Sequence, residues 1–140
     1  MNPSQKTIPA TAPEVQISWG ELIDKITILE IKAQQLNSKE ATENVLRELT
    51  ALNTTADKLL PERPDIQILK QRLKSVNEAL WEIEDKIRAK EAAKSFDQQF
   101  IELARSVYMN NDKRGNLKRQ INAVLNSELV EEKQYTQYST

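Results

Sequence analysis

From Ile66 to Ile87 the apolar side chains fall at Ile66, Leu69, Leu73, Val76, Leu80, Ile83 and Ile87. The steps alternate between three and four without a miss, which is the heptad seam of one long helix. Neither Gly nor Pro interrupts it. A seam of this length needs other helices to cover it. The expected fold is therefore all-α: an elongated antiparallel helical bundle of four to five helices with a long central helix, including a long hairpin between the second and third helices.

The chain has 140 residues, enough for one domain with a sizeable core. Pro3, Pro9 and Pro13, set among Ser, Thr and Gln, mark residues 1–16 as an extended or disordered arm. Residues 17–138 are expected to form a single helical domain. With 29% charged and 39% hydrophobic residues, the composition is that of a folded chain. The net charge of −1 lacks the basic excess of a nucleic-acid binder. Cys and His are both absent, which removes disulfides, zinc sites of the N/S kind, thiol nucleophiles, histidine acid–base chemistry and Glu-x-x-His di-iron sites. No metal or cofactor is expected. No apolar run approaches the ~18 residues of a membrane span, and the start of the chain is polar. The expectation is a cytoplasmic protein without a span or signal peptide.

The first helix opens on a capping box, Ser18 with Glu21, with Ile17 and Leu22 at the staple positions. Leu22, Ile26, Leu29, Ala33 and Leu36 make its core stripe. Ile28 and Ile31 point to the opposite side, around Asp24 and Thr27, so this helix is buried on both faces or docks a partner. Ser38 can cap a second helix, which carries Val45, Leu49, Leu52, Ala56 and Leu59. Pro61 and Pro64 bracket a connector, and Asp65 is the expected cap of the seam helix. A second stripe runs beside the seam: Asn77, Trp81, Glu84, Arg88 and Glu91. Trp81 in that stripe argues that it covers something. Phe96, Phe100, Leu103, Ala104 and Val107 form the next apolar stripe. After Tyr108 the pattern rotates, with Asn111, Arg114 and Lys118 falling on the apolar side. A break near Asn110-Asn111-Asp112, with Asp112 close to a new cap, is therefore expected.

The densest polar constellation is Arg105, Ser106, Tyr108, Asn111, Asp112, Arg114, Lys118 and Arg119. Arg can clamp a carboxylate or phosphate with two parallel hydrogen bonds, and Asn and Tyr can orient it. The same residues could equally be a polar helix junction. Acidic pairs at i,i+3 (Glu21 with Asp24, Glu40 with Glu43, Glu82 with Asp85) raise a Mg²⁺ site of the kind found in all-α nucleotide pyrophosphohydrolases. Their spacing is wider than that pattern allows, and Glu21 is also wanted by the capping box.

Five stretches read together resemble a known group: Ile17–Lys32, Leu80–Arg88, Phe100–Tyr108 with Asn111-Asp112, Leu117–Asn122 and Glu131–Tyr135. They are similar to a family of small uncharacterised helical proteins from bacteria, marine cyanobacteria among them, and their phages. Its members are domains of unknown function, sometimes labelled as related to lipopolysaccharide or surface-polysaccharide synthesis. The resemblance spans about residues 15–138 and implies a pathway setting rather than a reaction. Its shared phrases bring forward Trp81, Glu84, Asp85, Arg88, Arg105, Tyr108, Asn111, Asp112, Arg114 and Lys118. They imply either a polar cleft between the seam helix and the helix after it, or a buried network that fixes helix register.

The leading functional expectation is a non-enzymatic interaction or adaptor protein, a homo-oligomer or partner-binding module motivated by Ile28 and Ile31. The alternative is a binder or enzyme for a small molecule bearing a phosphate or carboxylate. Its candidate residues are Trp81, Glu84, Arg88, Arg105, Tyr108, Asn111, Asp112, Arg114 and Lys118. The nucleotide pyrophosphohydrolase comes third.

Overall fold

A computed structural model describes residue 7 and residues 11–139 of the chain. The described residues form four helices and no strands: α1 Trp19–Gln35, α2 Lys39–Leu59, α3 Pro64–Ala92 and α4 Gln98–Val124. The arm expected over residues 1–16 falls largely outside the described residues, while residues 11–17 carry no helix and are exposed. No described helix is long and apolar enough to cross a membrane.

Local chemistry sets the helix ends. Ser18 Oγ accepts the Glu21 N–H at 3.1 Å, and Ser38 Oγ accepts the Ala41 N–H at 3.3 Å. The Ser18 box is half closed, because the Glu21 carboxylate reaches Lys118 at 2.7 Å instead. α3 starts two residues earlier than expected. Arg63 occupies the cap position and Pro64 the first helical one, where its missing N–H costs nothing. Asp65 then sits inside the first turn and pairs with Arg63 at 2.6 Å. α3 and α4 both end in Schellman turns without glycine, with Lys94 and Asn126 at φ 52° and 50°. The closing bonds are Ser95 N–H to Lys90 O and Ser127 N–H to Asn122 O.

The break expected at Asn110–Asp112 does not occur, and α4 runs unbroken from Gln98 to Val124. Two of the three polar residues on its apolar side have partners from other elements, and the third, Asn111, faces a cleft between the helices. Arg114 meets Asp24, and Lys118 meets Glu21 and Glu131. The apolar stripe rotates along α4 because its neighbours change. The first half runs beside α3, while Leu117 and Ile121 pack against both α3 and Ile23 of α1.

The seam helix is the longest, but α1 is the helix that packs against each of the other three. α2 lies on α1 only, joined by Leu22, Ile26 and Ala56, with Leu49, Leu52 and Leu60 at the margin. The hairpin expected between α2 and α3 forms instead between α3 and α4. α1 crosses that hairpin obliquely, because its two flanks address different ends of α3. On one flank Glu30 reaches Lys70 and Lys74 at 3.4 and 3.5 Å. On the other, Ile28, Ile31 and Lys32 face Leu80 to Arg88. Beyond the crossing α3 and α4 continue as a two-helix arm. Here the seam residues Leu80, Ile83 and Ile87 are only half-buried, whereas Ile66, Leu69 and Leu73 are buried under α1 and α4. Two helices cannot enclose a seam that three can.

After Asn126 the chain turns back along α4 as an irregular tail. Ser127 Oγ accepts the Trp19 N–H, Glu131 pairs with Lys118 at 2.6 Å, and the Tyr138 hydroxyl donates to Asp112. The Tyr138 ring stands edge-on to Tyr108 at 5.3 Å. The hydrogen bond from Lys118 holds the Glu131 carboxyl below its ordinary 4.5. For Lys118, burial opposes the charge, but the hydrogen bonds to Glu131 and Glu21 prevail and hold the amine above its ordinary 10.5. The depressed acid stabilises the docked tail at pH above 4.5, and that contribution is lost as pH falls through the lower folded value. The raised amine contributes below 10.5, and its share is lost only as pH rises through the higher folded value. Acidification below pH 4.5 should therefore raise the backbone ¹⁵N mobility of residues 128–136 before the helices open. Glu131→Gln should show the same loosening at pH 7. Mobility in this segment that stays constant in both tests would mean the pair does not hold the tail.

Candidate functional site

The oblique crossing leaves a wedge where α1 parts from the α3–α4 arm. This cleft has a volume of about 490 Å³. α1 supplies Ile28, Ile31 and Lys32. α3 supplies Asn77, Leu80, Trp81, Glu84, Asp85 and Arg88 over three turns. α4 supplies Asn111 and Arg114. The helical spacing of each set puts one continuous face of each helix on the cleft. Ile28, Ile31, Leu80 and Trp81 make an apolar wall, and polar groups occupy the floor and rim. This is the usual make-up of a small-molecule site, in which apolar surface holds the bulk of a ligand and a few polar groups orient it.

The floor rests on a buried ion pair. Asp24 is 0% exposed. Its Oδ1 accepts from Arg114 Nε and Asn77 Nδ2, both at 2.9 Å, and its Oδ2 accepts from Arg114 Nη2 at 2.5 Å. Asn77 Nδ2 also donates to Thr27 Oγ1, whose hydroxyl donates to the Asp24 backbone carbonyl. One carboxylate thus binds three helices, and the bidentate geometry fixes the plane of the guanidinium. The hydrogen bond to Asp24 raises the Arg114 pKa above its already high ordinary value, so the side chain stays charged. The pair uses Nε and Nη2. Arg114 Nη1, Asn77 Oδ1 and the Asn111 amide make no hydrogen bond among the described residues. None of them is buried, since Glu30 Oε1 is the one buried side-chain polar atom there without such a partner. These open polar groups belong to residues that line the cleft.

At the rim, Arg88 pairs with Glu84 at 3.2 Å in an exposed i,i+4 contact, worth only a few tenths of a kcal/mol, roughly 0.3–0.5. Neither Lys32 nor Asp85 has an ion-pair partner among the described residues.

The sequence candidates separate into groups. Trp81, Glu84, Arg88, Asn111 and Arg114 line the cleft. Tyr108 and Asp112 belong to the tail contact with Tyr138. Lys118 is buried between Glu21 and Glu131, away from the cleft. Arg105 is exposed on the arm and makes no ion pair among the described residues. The acidic pairs do not converge, and no group of three or more metal-ligating side chains occurs among the described residues. Asp24 and Thr27, which hold the floor, were absent from the candidate set, as were Ile28, Ile31 and Lys32. One signal was available: Asp24 shares its face with Ile28 and Ile31, and a carboxylate on an apolar stripe needs a cation from elsewhere. Ile31 is 3% exposed and Ile28 half-buried, so the apolar excess that suggested an oligomer is largely covered within the chain.

A sequence model described as "Family of unknown function (DUF6165)" matches residues 13–140. The chain belongs to that family. No curated protein and no solved structure matches it. The family has a shared sequence and no assigned reaction, which leaves the cleft as the guide to function.

Proposed function

We propose that this member of the family is a ligand-binding helical protein whose cleft holds a small organic molecule bearing a carboxylate or phosphate. One observation carries the reading: Arg114 is locked by a fully buried Asp24 while its remaining nitrogen stays open beside an apolar wall. A donor held rigid before the ligand arrives loses little entropy on binding. Binding rather than turnover is favoured, because the chain has no His or Cys and the cleft's ordered groups are donors already oriented toward an anion. A cytoplasmic, surface-polysaccharide setting belongs to the proposal as context and carries none of its chemistry.

A screen of small organic acids and phosphates against ¹⁵N-labelled protein tests the reading. Hits should move the Trp81 indole and Asn111 amide resonances together and leave the Trp19 indole in place. Trp81→Ala should abolish the effect at unchanged helicity. Hits that move neither group, or that bind Trp81→Ala equally well, would sink it.

A second reading, an adaptor that binds a partner or a second copy, draws on the end of the arm. There Phe96 is 55% and Ile101 47% exposed, with Phe100 packed edge-on to Phe96. Light scattering of the protein and of a Phe96→Asp/Ile101→Asp variant tests it. An oligomer lost in the variant supports this reading, and a monomer in both removes the self-association form.

A further inference from the structure

We infer that the ligand of the cleft is an organic monocarboxylate with an apolar, ring-sized body, its carboxylate bound by Arg114 Nη1 and Asn111 and its body laid against Trp81. The inference rests on the proposed binding role and narrows it to one chemical class.

The body follows from the walls. Ile28, Ile31, Leu80 and Trp81 come from two helices and face a space of about 490 Å³. Burying apolar ligand surface there releases water from Ile28, Leu80 and Trp81, each half-buried, while Ile31 is already covered. Trp81 adds a flat ring against which a planar or cyclic group can lie.

The charge follows from what is already paired. Five ionised groups line the cleft: Lys32, Arg88, Arg114, Glu84 and Asp85. Arg114 is balanced by Asp24 and Arg88 by Glu84. That leaves Lys32 against Asp85. A phosphate monoester carries close to two negative charges at neutral pH. It would meet Asp85 and Glu84 across the cleft with a single unpaired cation to offset it. A carboxylate brings one charge and accepts in one plane, which suits the single open edge of a fixed guanidinium. Asn111 can donate the second hydrogen bond. A neutral ligand offers the open Arg114 edge at most a carbonyl or hydroxyl oxygen, a weaker partner for a guanidinium than a carboxylate.

Three probes of one shape test this: 1-naphthoate, 1-naphthamide and 1-naphthyl phosphate. The Trp81 indole resonance is the readout and the Trp19 indole the internal control. The expected result is binding of naphthoate about ten-fold or more tighter than naphthamide, as for a charged hydrogen bond. Naphthyl phosphate should bind no tighter than naphthoate. Asn111→Leu leaves the buried Asp24 network untouched. It should weaken naphthoate about ten-fold and naphthamide little. Equal binding of naphthoate and naphthamide, or tighter binding of naphthyl phosphate, would overturn the ligand class while leaving a binding cleft. If none of the three moves the Trp81 indole, the ring-sized monocarboxylate class is overturned, and the broader reading stands or falls on the screen of acids and phosphates.

Discussion

Replacing Asp24 by Val is expected to cost about 3–5 kcal/mol, the range for breaking a buried ion pair from one side. This is a large share of the ~5–15 kcal/mol that holds a typical domain together. The change leaves the Arg114 guanidinium without its two-point partner and removes an acceptor from Asn77. Arg114 is partly exposed on the cleft side, so water relieves some of that cost. The converse change, Arg114→Met, strands a carboxylate that is 0% exposed and should cost at least as much. Combined in one chain, Asp24→Val and Arg114→Met leave no unpaired charge, and the double variant should be more stable than either single one. Urea denaturation of the four proteins checks this. Additive losses in the double variant would show that the two residues act independently. The same variant, folded but lacking its open guanidinium edge, should lose the preference for naphthoate over naphthamide.

The second large effect is expected from the smallest change, Gly20→Ala. In most helices Ala is better than Gly by about 1 kcal/mol. Here the sign reverses. A Cβ at Gly20 would lie 2.5 Å from the Lys118 carbonyl oxygen and 3.0 Å from Asn122 Oδ1. The first of these is backbone of α4 and cannot swing aside, so α1 and α4 must separate. That opens the 2.7 Å bond from the Gly20 N–H to Asn122 Oδ1, which caps a donor that the first turn of α1 cannot satisfy itself. Overpacking and the weakened bond together predict a loss of about 2–4 kcal/mol. Gly115→Ala is the control. Its Cβ would meet only Lys133 Nζ, at 3.9 Å, and the change should be neutral or stabilising by up to about 1 kcal/mol. Thermal unfolding that places Gly20→Ala at or above the parent would refute the close-approach argument.

What could be read from the chain alone was what is local. The alternating steps of three and four from Ile66 to Ile87, the Ser18 and Ser38 caps and the Pro61–Pro64 connector each depend on residues within about a turn of one another. They specified helices, their approximate ends and the helical class. The stripe of Asn77, Trp81, Glu84, Arg88 and Glu91 was visible for the same reason, and its first four residues line the cleft while Glu91 does not. The tertiary structure decided the rest. Asp24 and Arg114 are 90 positions apart, and no periodicity links them. Without that partner, Arg114 and Lys118 looked like faults in a seam and suggested a break that is not there. The oblique path of α1 across α3 and α4 is also a packing outcome, set where Gly20 lets two backbones approach and where Asp24 pins Arg114. That crossing turns a two-sided helix into a core stripe on one flank and a cleft wall on the other. A helix's own period fixes which residues share a face; only its packing against other helices decides whether that face is buried or left open to a ligand.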